Sequence, residues 1–232
     1  MGLIGNNLQA VIKRIAAAAK DAGRKPEEVG LLAVSKTWPA SAVVEAMAAG
    51  QAAFGENYVQ EGVEKVLTLR AAGGEKLIWH FIGPLQSNKT RQVAEHFDWV
   101  HSVDRLKIAE RLAMQRPADR PPLNICIQVN ISGEASKSGC LPGETMNLAR
   151  AVSRLPGLRL RGLMAIPEPT EGFEQQRAPF LLLNGLLSDL KQDGLPVDTL
   201  SMGMSHDLEA AVSAGATLVR VGTAIFGQRD YT

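Results

Sequence analysis

A chain whose short apolar runs alternate with amphipathic helical stretches from one end to the other has few ways to fold. After a helix at about 3–22, strand-like runs end near Lys36, Asn57, Gly83, Asp104, Asn130, Ile166, Met204 and Gly227. Between these eight runs lie seven helical stretches: SAVVEAMAAG, YVQEGVEKVLTLR, SNKTRQVAEHF, RLKIAERLAMQ, TMNLARAVSRL, FEQQRAPFLLLNGLLSDLKQDG and HDLEAAVSAGA. Strands joined through helices pair in parallel by right-handed crossovers, and eight such units predict a single (β/α)8 TIM-type barrel over residues 1–232. An open doubly wound sheet is the alternative. Only five residues follow Gly227, too few for an eighth helix, so the N-terminal helix is expected to complete the outer helix ring. Pro179 is expected to start or kink the sixth helix.

Composition narrows the partners. A hydrophobic content of 45% in 232 residues suits one large buried core. Lys and Arg total 25 against 24 Asp and Glu, a net charge of +1, which leaves no electrostatic footprint for nucleic acid or an acidic membrane. Small-molecule partners therefore rank first, and a monomer is expected. Two cysteines, Cys126 and Cys140, make no disulfide framework and fit a reducing, cytoplasmic setting. No signal-peptide pattern opens the chain and no run reaches transmembrane length. His80, His96, His101 and His206 lack metal-site spacing, so no metal is expected. Neither a dinucleotide glycine fingerprint nor a P-loop occurs.

Barrels of this kind place their chemistry where the strands end. The residues delivered there include Ser35, Lys36, Glu56, Asn57, His80, Ser102, Asp104, Asn130, Ser201–Ser205 and Arg220–Thr223. Lys36 closes the apolar run VGLLAVSK, with a turn and a helix directly behind it. In a partly apolar mouth its amine would lose hydration and become available for a Schiff base; on an open rim it would only snorkel to water. Arg220 interrupts the apolar run TLVRVGTAIFG and shares a face with Leu218 and Gly222. Such a guanidinium needs a carboxylate or a ligand acceptor. LSMGMS and VGTAIFG follow the last two strands, where barrels often hold phosphate; Gly203 and Gly222 allow close backbone approach, and Ser201, Ser205 and Thr223 offer hydroxyls. An amine, a cation and a phosphate cradle together fit pyridoxal 5′-phosphate (PLP).

The sequence at this point resembles the pyridoxal phosphate homeostasis proteins, whose barrel is similar to the N-terminal domain of alanine racemase (fold type III). The resemblance runs through LLAVSKTWP, FGENYVQE, WHFIGPLQSNKTRQV, LSMGMSHDLEAAV and VRVGTAIFG, five ordered blocks spanning nearly the whole chain. It implies that Lys36 forms the internal aldimine, that Arg220 faces the pyridine nitrogen, and that Ser201, Ser205, Gly222 and Thr223 hold the phosphate with Asn57 near the ring. A cation at the ring nitrogen would make the pyridine a weak electron sink.

Two function classes remain. One is a protein of intracellular PLP homeostasis that holds the cofactor, without turnover, for delivery to apo-forms of PLP-dependent enzymes; the other is a PLP-dependent amino-acid racemase. A racemase needs a second base. The tyrosines are Tyr58 and Tyr231, neither supported by a second domain, which favours the carrier and assigns no catalytic residue. Lys137, in the loop after the fifth strand, is a solvated rim charge or a second amine for the aldehyde.

Overall fold

The computed structural model describes residues 2–74, 76–133 and 138–228; Lys137 and Tyr231 lie outside the described residues. Eight strands, β1 (Gly30–Val34), β2 (Ala53–Glu56), β3 (Ile78–Phe81), β4 (Trp99–Val103), β5 (Leu123–Gln128), β6 (Leu158–Met164), β7 (Thr199–Ser201) and β8 (Leu218–Val221), close a barrel in sequence order. Every pairing is parallel, including β1 with β8, where Leu32 stands level with Arg220. The closed β1–β8 seam excludes the open doubly wound alternative. Strands covered on both faces read as apolar runs rather than as alternation, and β5 is buried at every position except Asn124.

Gly162 shows how closely the strands approach: a Cβ added there would stand 1.9 Å from the Thr199 carbonyl oxygen of the neighbouring strand. Its φ of +157° and the register shift between Ile125 and Cys126 on β5 mark the same irregularity.

Helices α1 (Leu3–Asp21), α2 (Ala40–Ala48), α3 (Val59–Ala71), α4 (Thr90–His96), α5 (Leu106–Gln115), α6 (Thr145–Ser153), α7 (Phe173–Gln192), α8 (Leu208–Ser213) and α9 (Thr223–Phe226) surround the barrel. On α1, Ile4, Leu8, Val11, Ile15 and Ala18 form one buried stripe. That stripe packs against α2, α8 and α9, so α1 completes the outer ring as its spacing predicted. Pro179 lies six residues inside α7 and does not start it.

Two strand ends differ from expectation. β7 stops at Ser201, because Gly203 takes φ +91° and turns the backbone out of the sheet. β8 stops at Val221, and TAIF winds into one helical turn closed by Phe226 N–H to Gly222 O at 3.0 Å. A short apolar run suits a strand or a buried turn equally, so periodicity alone could not separate them.

Candidate functional site

At the C-terminal mouth of the barrel a cavity of about 220 Å³ collects Lys36, Asn57, Ser205, Arg220, Gly222 and Thr223. Val34, Ile82 and Ile166 supply apolar wall, and Met204 and His206 complete the side after β7. Six of the seven predicted binding residues thus share one cavity. Ser201 does not line it. Its side chain is fully buried in the barrel, with Oγ 2.8 Å from Arg220 Nη1 and 2.8 Å from His101 Nδ1. The early end of β7 leaves Ser201 inside the sheet layer, so its hydroxyl supports Arg220 from beneath instead of facing the cavity with the other six.

Each wall residue is delivered by a strand end. Lys36 stands two residues past β1 and is half-buried. Asn57 follows β2; its Oδ1 is buried and has no hydrogen-bond partner among the described residues, an acceptor left for something in the cavity. Gly83 backs onto it so closely that an added Cβ would stand 2.1 Å from Asn57 O. Ser205 sits on a loop tied at both sides: Met204 N–H donates to Asp207 Oδ1 at 2.6 Å, and Ser205 O accepts from Arg14 Nη1 at 2.8 Å. Gly222 leads into α9, and a Cβ there would press to 3.2 Å from Val34 O. The absence of that methyl lets β8 and β1 lie close together where they border the cavity.

Arg220 is 4% exposed. Nη1 donates to Ser201 O at 2.5 Å and Nη2 to Ala165 O at 3.0 Å, beside the bond to Ser201 Oγ. No carboxylate bonds it among the described residues, so the structural ion pair is not what holds it. Burial lowers its pKa to about 10, with Asp207 and Cys126 opposing, and it keeps its charge at neutral pH.

Beneath Arg220 a polar line crosses the barrel. His101 Nε2 lies 2.9 Å from His80 Nδ1, and His101 and Ser201 stand on β4 and β7, which are not neighbours, so their bond spans the interior. Because an arginine only donates, Ser201 Oγ accepts from Arg220 and turns its own proton to His101 Nδ1, and His101 Nε2–H then donates to His80 Nδ1. Burial pushes the His80 pKa down to about 3 and that of His101 well below its ordinary value, the latter helped by His80 and Arg220. His80, placed by sequence at the upper rim, instead lines a cavity of about 540 Å³ at the opposite mouth with Trp99, Arg161 and Asp198. There Arg161 is paired with Asp198 at 2.7 Å and Arg24 with Glu28 at 3.2 Å.

A second cluster lies under the Lys36 turn. Glu56, fully buried, accepts at Oε1 from Ser35 Oγ at 2.6 Å and from Lys65 Nζ at 2.8 Å. Burial raises the Glu56 pKa while Lys65 and Ser35 oppose. Sequence reasoning placed Ser35 and Glu56 on the rim and missed Lys65. The Glu61 to Lys65 spacing of four residues was the available signal.

Comparison with known proteins matches residues 6–230 to the alanine racemase N-terminal domain family. The pyridoxal phosphate homeostasis protein of Pseudomonas aeruginosa is 63% identical over 231 residues, covering 100% of this chain and 98% of the relative. That of Escherichia coli K12 is 58% identical over 232 residues, covering 100% and 99%. Among solved structures, PipY of Synechococcus elongatus with PLP bound superposes with a TM-score of 0.79 at 39% identity, covering 92% of this chain and 100% of that one.

Proposed function

The chain belongs to the pyridoxal phosphate homeostasis protein family, and from that premise we propose that it binds PLP at the upper mouth of a single barrel domain and holds it for delivery to apo-enzymes. One observation carries the reading: a single cavity joins a strand-end amine, a buried charged arginine and a glycine-floored corner beside two hydroxyls. PLP supplies an aldehyde, which a primary amine attacks with loss of one water. Lys36 presents that amine. Thr223, Ser205 and the backbone at Gly222 take the phosphate, because charge-assisted hydrogen bonds to such donors are the strong ones. The orphan Asn57 Oδ1 faces the ring.

Arg220 is bonded to neutral oxygens and keeps its own charge, which suits an unprotonated ring nitrogen and works against building negative charge on the ring. That favours retention of the cofactor over turnover. Of the groups lining the cavity, Lys36 and His206 could move protons, and His206 is exposed on the loop after β7, without the packing that a positioned base requires. Tyr58 is 55% exposed and does not line the cavity. The buried free cysteines support a reducing cytoplasmic setting, and among the described residues no helix is long and apolar enough to cross a membrane.

The test is a visible spectrum of protein mixed with PLP, before and after borohydride, followed by peptide mapping. The label is expected at Lys36 and absent in Lys36→Ala; recovery at Lys89 overturns the assignment. Incubation with single alanine enantiomers in deuterium oxide separates the two classes. Catalytic loss of the α-proton, abolished in Lys36→Ala, would make the protein a racemase.

A further inference from the structure

We infer that Lys65 and Glu61 are positioning residues for Lys36: together they clamp the two peptide groups flanking the Lys36 Cα and so fix the direction in which its amine enters the cavity. The inference rests on the reading of Lys36 as the attachment point.

β1 ends at Val34, and the last sheet bond before the turn is Ser35 N–H to Gly55 O at 3.0 Å. Beyond it the chain reverses, with Trp38 N–H donating to Ser35 O at 3.1 Å. Lys65, from the buried face of α3, donates to the same Ser35 carbonyl at 2.7 Å and to Glu61 Oε1 at 2.6 Å. Glu61 Oε1 in turn accepts the backbone N–H of Thr37. The carbonyl before Lys36 and the N–H after it therefore end on the two members of one ion pair. Peptide groups are planar, so fixing both fixes the φ and ψ of the residue between them.

Two independent features point the same way. Thr37 has φ +65°, and among the described residues no other non-glycine has a positive φ. A β-branched residue stays in that region only where its surroundings over-determine it, and the bond to Glu61 is such a constraint. The cluster is also an unusual way to cover a strand end. Lys65 is 5% exposed and Glu56 is fully buried, yet apolar side chains could fill the space without stripping water from charges. What charged groups add is direction.

Glu61→Ala tests the clamp. Glu61 is the outer member, with its side chain 28% exposed, and its removal leaves the 2.8 Å Lys65–Glu56 pair in place. The variant should fold, with a circular dichroism spectrum and urea midpoint close to the parent's. In cofactor-free protein, amide exchange of Thr37 followed by NMR should quicken by roughly tenfold or more, as should be expected for losing a hydrogen bond to a charged acceptor. The rate of borohydride-fixed PLP attachment at Lys36 should fall by a similar factor. Glu61→Gln, which keeps Oε1, should restore both. Unchanged Thr37 exchange in the folded Glu61→Ala protein overturns the clamp, and faster exchange with an unchanged attachment rate overturns the positioning role. Should wild-type protein fix PLP at another lysine, the attachment reading fails by itself. Thr37 exchange, with the acetic anhydride labelling rate of Lys36, then decides the clamp separately.

Discussion

The paired histidines inside the barrel should make the fold acid-sensitive well above the range where carboxylates titrate. His80 and His101 are buried and neutral, the first with its pKa lowered to about 3 and the second well below its ordinary value. Above the unfolded-state pKa of about 6.5 neither state binds the proton and the pair is neutral in the balance. Below it the unfolded imidazoles take up protons that the folded ones refuse, so stability is lost as pH falls. From pH 7 to 5 linkage gives about 2 kcal/mol per histidine, or about 4 kcal/mol for the pair, against a total stability of about 5–15 kcal/mol. Other groups do not mimic this in a difference measurement. Asp198 and Glu209, whose pKa values are lowered, act below the carboxylate range, while the lowered His96 and the raised Glu56 are common to parent and variant. The assay is the urea midpoint at pH 7, 6 and 5 for the parent and for His80→Gln/His101→Asn, amides that keep donor and acceptor atoms. The parent should lose about 4 kcal/mol more than the variant over that range. Parallel curves for two folded proteins would refute the neutral histidine pair.

Three further outcomes are expected. Thr223→Val should weaken PLP binding roughly tenfold to a hundredfold by equilibrium dialysis while leaving pyridoxal, which has no phosphate, nearly unaffected. Arg220→Glu should make the visible spectrum of the loaded protein pH-dependent, in a variant checked by circular dichroism because it disturbs a site that is 4% exposed; an unchanged titration would place the arginine away from the ring nitrogen. Gly162→Ala should destabilise the barrel by more than about 2 kcal/mol in urea, since its Cβ would stand 1.9 Å from Thr199 O and backbone must move to admit it.

Local order alone determined much of this protein. Periodicity indicated eight strands and an amphipathic α1, and the rule that barrel chemistry sits at strand ends gave a longer polar list, which the family resemblance narrowed to a set of which Lys36, Asn57, Ser205, Arg220, Gly222 and Thr223 share one cavity. These residues are legible because each lies within or just beyond the end of an apolar run, a signal carried by a few neighbouring residues. The remainder depends on closure. Ser201 was read as a wall residue and His80 as an upper-rim one, yet the first supports Arg220 and the second opens toward the opposite mouth. The last strand-like run was expected to end near Gly227, but it stops at Val221 and TAIF turns into helix packed against α1. Lys65 was not singled out from sequence, and its role follows from α3 lying against the Lys36 turn, which brings Nζ to Ser35 O. A strand's pattern says that side chains alternate, but their height along the barrel axis, and which of them meet across it, follow from strand tilt, register and the joining of β8 to β1, contacts made between residues far apart in the chain.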